Sequence, residues 1–233
     1  MDSNEILNKL KSMANPKNVE GMAHFGINPD NTLDVSVYVL RDMAKEVGRD
    51  HQLAEELWAS EIHEARMLAG FVDEPGKVSE AQMEAWVKDF DSWDICDQVC
   101  SNLFDRTPFA YKKAVEWSAR EEEFVKRAGF VLMAALAVHD KKAPDEKFEQ
   151  FFPIIKREAT NERNYVRKAV NWALRNIGKR NKRLNARAIE VAKEIQKIDS
   201  KAARWIASDT LRELQGEKVQ KRLSKKRADP AGC

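Results

Sequence analysis

Helical periodicity, broken only briefly, is the feature that most limits what this chain can become. Apolar residues recur at three- and four-residue spacing over 2–14, 32–47, 50–58, 60–72, 79–89, 92–105, 109–118, 121–140, 145–158, 162–179, 183–197, 200–214 and 217–225. Turn signals separate them: Asn15-Pro16, Asn28-Pro29-Asp30-Asn31, Asp73-Glu74-Pro75-Gly76, Thr107-Pro108, Ala143-Pro144 and Gly178. Alternating β-type runs are almost absent, so the expected fold class is all-α. Successive helices with short turns make either a bundle or a helical-repeat solenoid. A paired spacing of about 40 residues favours the solenoid, because each pair buries its apolar face only against its neighbours. Such a stack has a long concave surface. The expectation is one domain over 1–222, followed by a loose basic tail, LSKKRADPAGC, at 223–233.

The charge is strongly polarised. From Pro153 to Cys233 there are 22 Lys+Arg against 9 Asp+Glu, whereas the first 152 residues hold 18 against 29. A basic end of this kind can hold a polyanion while the whole chain stays near neutral at +2. The plainer alternative is a set of solvated helix faces.

Three cysteines, Cys96, Cys100 and Cys233, make a poor disulfide framework, since the count is odd and the first two lie four apart on one helix. There is no N-terminal signal pattern and no run of 18 apolar residues. These absences favour a cytoplasmic protein without a membrane partner.

Three segments place tryptophan, acid or arginine at the border of an apolar stripe: SWDICDQVC (92–100), EEFVKRAGFVLMAALAVHDK (122–141) and RNYVRKAVNWALRNIGKRN (163–181). Cores normally exclude such groups, so the set suggests a lined groove. In the first segment, Ser92 is a plausible N-cap, and Trp93, Asp97, Cys100 and Phe104 fall within about 60° of one another at helical spacing. Asp94 and Asp105 fall on the wet face. Asp97 reads either as a border carboxylate paired with a nearby cation or as a functional acid.

In the second segment, Phe124, Ala128, Val131, Ala135 and Val138 form the stripe. Arg127 sits at its margin, and Lys126 is expected to point into solvent. An arginine so placed can reach a phosphate or an internal carboxylate such as Asp97 or Glu123. In the third segment, Trp172 is flanked by Lys168, Arg175 and Lys179, with Arg180, Lys182 and Arg183 following. Cations in a row neutralise phosphates, and an indole offers a flat face to a sugar or base. A structural cation–π pair is the alternative. The helix HEAR (63–66) lacks a second histidine, and the four histidines show no ligand spacing with the cysteines, so no metal site is expected.

At these residues the chain resembles the AlkD-type DNA alkylation repair glycosylases, a family of HEAT-like helical-repeat proteins. The resemblance covers about residues 20–215 and is sharpest in the order W-x3-D, K-R-A, W-A-L-R. It implies a HEAT-like solenoid whose concave, basic surface binds double-stranded DNA containing alkylated bases. Trp93, Asp97, Arg127 and Trp172 match the family's active-site Trp, Asp, Arg and second Trp. Arg175 matches an arginine expected at the DNA backbone.

The implied activity is excision of positively charged N3- and N7-alkylated purines in base excision repair, without a base-specific pocket and without a cofactor. A non-catalytic DNA-binding relative is the alternative. In this reading Asp97 stabilises positive charge growing on the deoxyribose and orients water. Trp93 and Trp172 pack against the sugar and backbone, and Arg127 holds a phosphate or fixes Asp97. Lys168, Arg175, Lys179, Arg180, Lys182 and Arg183 grip the backbone. The chain would act as a monomer with no obligatory protein partner, associated with the nucleoid when on DNA.

Overall fold

A computed structural model describes residues 1–24 and 26–225, and every regular element among them is helical. The residues from 226 onward, the greater part of the expected tail, lie outside the described residues. The chain packs as two compact units, Met1–Ala110 and a second from Tyr111 onward.

Unit 1 contains α1 (Ser3–Ser12), α2 (Pro16–His24), α3 (Val37–Val47), α4 (His51–Ala59), α5 (His63–Val72), α6 (Glu80–Lys88) and α7 (Trp93–Asn102). A short 3-10 turn, Phe104–Arg106, follows. Side-chain caps start several of these: Asp2 and Glu5 form a reciprocal capping box on α1, Asp50 caps α4 and Ser79 caps α6. Helix α2 corrects the sequence reading, which took Asn15-Pro16 as a turn. Proline at the first helical position loses no hydrogen bond there and has the right φ, so Pro16 begins a helix.

Helix α3 begins at Val37 rather than at residue 32, again for a physical reason. The carboxylate of Glu64, only 1% exposed, accepts from the Leu33 amide at 2.9 Å and the Val35 amide at 3.2 Å. That bond pattern holds the chain away from helix. Helix α5 packs against α3, α4 and α7. Beside it, Trp58 and Trp86 stack at 4.0 Å, with Arg66 over the Trp58 ring and Asp89 accepting the Trp58 indole N–H at 2.9 Å.

Unit 2 takes up α8 (Ala110–Ser118), whose first residue closes unit 1, then α9 (Glu123–His139), α10 (Glu146–Glu149), α11 (Phe151–Glu158) and α12 (Asn164–Gly178). It continues through α13 (Lys182–Gln196), α14 (Lys201–Leu214) and α15 (Glu217–Lys225). The helix expected over 145–158 is broken at Gln150. Residues 223–225, read as tail, end α15 and bury Leu223.

Helix α9 is buried on every side from Val125 to Ala137, so its apolar stripe has no wet complement. One expectation fails for that reason, and a second fails where the buried run ends. Lys126 is not in solvent: it is 4% exposed and ion-paired with Glu158 at 2.9 Å. Val138, assigned to the stripe, is 47% exposed. A Cβ on Gly129 would stand 2.5 Å from the Ser118 amide nitrogen, so α8 and α9 cross at backbone contact.

Each unit has a set of bonds that recur at one separation. In unit 1, Leu33–Glu64, Trp58–Asp89 and His63–Asp94 are each 31 residues apart. In unit 2, Arg127–Tyr165, Lys156–Glu194 and Asn171–Asp209 are each 38 apart. Equivalent positions of successive repeats therefore face one another, as stacking of supersecondary units requires.

Candidate functional site

Helix α7 carries the first two candidates. Trp93 and Asp97 stand one turn apart, both half-buried, with Cys96 and Cys100 wholly buried beside them. Burial pushes the Cys100 thiol well above its ordinary value, followed by its hydrogen bond with Cys96 and the nearby carboxylates of Asp97 and Asp105. Asp97 thus lies against apolar and sulfur-lined surroundings. Phe104, expected on the same helical face, belongs to the 3-10 turn after the helix ends. Ser92 takes the N-cap position, but no side-chain bond of Ser92 caps the helix.

The start of α7 is held by a pair that sequence reasoning missed. Asp94, assigned to the wet face, bonds through Oδ2 to His63 Nε2 at 2.8 Å, and His63 is 3% exposed. Burial opposes charge on the imidazole, but the Asp94 hydrogen bond and charge outweigh it, aided by Glu64 and Asp91. His63 therefore titrates above its usual value. Burial would raise Asp94 as well, yet the bond and charge of His63 leave it below the ordinary carboxylate range. The shared 31-residue separation was the available signal. Asp105, also assigned to the wet face, is buried.

Arg127 is 5% exposed, and its Nη1 donates to the Tyr165 carbonyl at 2.7 Å. It ties α9 to the first turn of α12. Seven residues beyond Tyr165 on α12, Trp172 is half-buried.

The cations around Trp172 have internal partners from α14. Arg175 pairs with Asp209 at 2.9 Å and also with Glu213, which in turn accepts Lys179 at 3.0 Å. Burial would raise the Glu213 pKa, but hydrogen bonds from Arg175 and Lys179 hold it below the ordinary range. Asp209 also accepts from the buried amide of Asn171 at 2.7 Å. Arg183 reaches Glu149 at 3.0 Å and Glu146 at 3.2 Å. Arg180 lies over the Phe148 ring and donates to the Ala137 and Ala143 carbonyls. Lys168 and Lys182 are exposed.

A cavity of about 620 Å³ opens at the C-terminal ends of α9 and α12, lined by Lys141, Lys179, Arg180 and Arg222 together with Asp145. Among the described residues no group of three or more His, Cys, Asp or Glu is placed to hold a metal ion. No helix among the described residues is long and apolar enough to cross a membrane.

Comparison with known proteins follows from this geometry. The family model described as DNA alkylation repair enzyme matches residues 6–214. A search of the curated proteins finds no match. Among solved structures, one is described as a new family of proteins related to the HEAT-like repeat DNA glycosylases with affinity for branched DNA structures. It aligns with a TM-score of 0.79 and 21% identity, covering 96% of each chain. The fold is therefore the HEAT-like repeat fold. A designed armadillo repeat protein in complex with a (KR)4 peptide aligns at a TM-score of 0.37 and 14% identity, covering 79% of this chain and 88% of its own.

Proposed function

The chain belongs to the DNA alkylation repair enzyme family, and from that premise we propose that it is a monofunctional DNA glycosylase. Its substrates are N3- and N7-alkylated purines in double-stranded DNA. The observation that carries this reading is the pairing of Trp93 and Asp97 one turn apart on α7, both half-buried.

A cationic alkylpurine is already a good leaving group, so no general acid is required. The barrier lies in the positive charge that develops on the deoxyribose as the C1′–N bond breaks. A fixed carboxylate in a partly desolvated setting lowers that barrier, the inverse of an oxyanion hole. Asp97 supplies the carboxylate and orients the water that adds to C1′. Trp93 supplies a π face to the cationic sugar. Trp172 offers a second indole on α12. Arg127 acts as a positioning residue, through its bond to the Tyr165 carbonyl at the start of that helix. Lys168, Arg175, Lys179, Arg180, Lys182 and Arg183 provide the backbone grip.

A second reading, DNA binding without excision, is favoured by one comparison. The solved relative is described only as related to the glycosylases, with affinity for branched DNA. Incubation of duplex carrying 7-methylguanine separates the two. Wild type releases the base, and Asp97→Asn loses on the order of 10²–10³-fold in rate while still binding duplex. Equal release by both proteins would remove Asp97 from the mechanism. No release by wild type, with binding intact, would favour the second reading.

A further inference from the structure

Unit 1 is acidic, with 10 Lys+Arg against 21 Asp+Glu in its 110 residues. Four of those ten cations nevertheless line one groove of about 350 Å³: Arg41, Lys45, Arg49 and Arg106, with Phe71 and Asn102. No carboxylate lines it. The buried acid Asp73, whose charge acts on Arg49, is itself bonded to His51 at 2.7 Å and Gln82 at 2.7 Å. Lys45 pairs with Asp42 at 2.8 Å, and both are well exposed.

The groove lies at the C-terminal ends of α3, α5 and α7, where a cation favours the helix dipole. That effect explains a single cation. It does not explain two guanidiniums set close enough to oppose each other. Burial lowers the Arg49 pKa first and the Arg106 charge lowers it further, and together they outweigh the opposing charges of Asp73 and Glu74. Arg49 is nevertheless fixed there, donating to the Asp73 carbonyl. Arg41 is likewise held, over the Phe71 ring at 5.8 Å and donating to Gln98 at 3.2 Å. Like charges fixed around a groove whose named lining includes no carboxylate are relieved further by an anion from outside.

On α3, Tyr38 lies one turn before Arg41 and two turns before Lys45, on the same helical face, and is 74% exposed. An exposed aromatic beside cations suits a sugar or base as well as its phosphate.

We infer that this groove, formed by Arg41, Lys45, Arg49 and Arg106, is a binding site for backbone phosphates of DNA within unit 1. The inference rests on DNA being the ligand of the whole protein, as proposed above. It adds a contact in the half of the chain whose net charge argues against one.

The test is equilibrium binding of a labelled duplex over a series of salt concentrations, using the full chain. Each phosphate contact contributes about 0.9 to the slope of log K against log salt. Arg49→Gln/Arg106→Gln is expected to flatten the slope by about 2. Lys11→Gln/Lys88→Gln removes the same charge from exposed positions of unit 1 outside the groove and should leave the slope unchanged. Lys45→Glu, an exposed change, keeps the test available should the double arginine variant melt early. Equal slopes for wild type, the double arginine variant and Lys45→Glu would overturn the proposal. Loss of inorganic phosphate binding with no change in the duplex slope would reassign the groove to free phosphate and also overturn it. Base release is followed in parallel. Its absence, with the slope change intact, would strike only the glycosylase reading.

Discussion

The two units place charge in opposite ways. Unit 2 is strongly basic, yet Arg175 and Lys179 beside Trp172 meet Asp209 and Glu213 of α14, and Arg183 of α13 meets Glu146 and Glu149 of α10. Unit 1 is acidic, yet it gathers four cations around a groove lined by no acid. Net charge thus says how strongly a unit attracts a polyanion from a distance, whereas pairing decides where the polyanion is held. The units also differ in how their repeats are joined. Unit 1 fastens loops with buried carboxylates, as Glu64 does for residues 33–35. Unit 2 relies on close helix approach and on long helices, with α9 reaching 17 residues against 10 for α5.

Substitutions can break that contrast. Glu64→Ala strands two amide donors in unit 1, and at about 1–3 kcal/mol per unsatisfied group the loss is on the order of 3 kcal/mol. Hydrogen exchange should show the loss concentrated in unit 1; uniform loosening of both units would blur the distinction. Gly129→Ala forces a methyl onto the Ser118 backbone and is expected to cost about 1–3 kcal/mol in urea unfolding.

In unit 1, Gly70→Ala meets chiefly the Val99 side chain, at 3.1 Å, and the helix propensity gained by alanine, about 1 kcal/mol, offsets the crowding. A larger penalty at Gly70 than at Gly129 would reverse the argument. Ser200→Ala removes the cap on the Ala203 amide and should cost about 1 kcal/mol, visible as a lower Tm.

The smallest effect is pH-dependent. Because the folded pKa of His63 is raised, its stabilising contribution is complete below the unfolded value near 6.5 and fades as pH climbs through the folded value. His63→Gln should flatten the stability profile above pH 6.5, and an unchanged profile would exclude the pair as its source.

The all-helical class, the repeat arrangement and the Trp93–Asp97 face were legible because helical spacing is a local property. What was lost depended on neighbours. A helical wheel sent Lys126 to solvent, but α9 has no solvent face and Glu158 of α11 receives the ammonium. Asp94 looked wet because its partner, His63, lies 31 residues back. The cations near Trp172 formed a clean ridge on their own helix, and only α14 reveals the acids laid beside them. The groove of unit 1 draws Arg41, Lys45 and Arg49 from one stretch but Phe71 and Arg106 from two others, which no window of sequence unites.

Under the proposed function, Asp209 and Glu213 are resident stand-ins for phosphate. Any strand that reaches Arg175 or Lys179 displaces them in an exchange of partners rather than filling empty valences, so each step is nearly balanced in free energy. In the proposed function, such an exchange keeps the hold on any one nucleotide modest, which suits a protein that must move along duplex DNA.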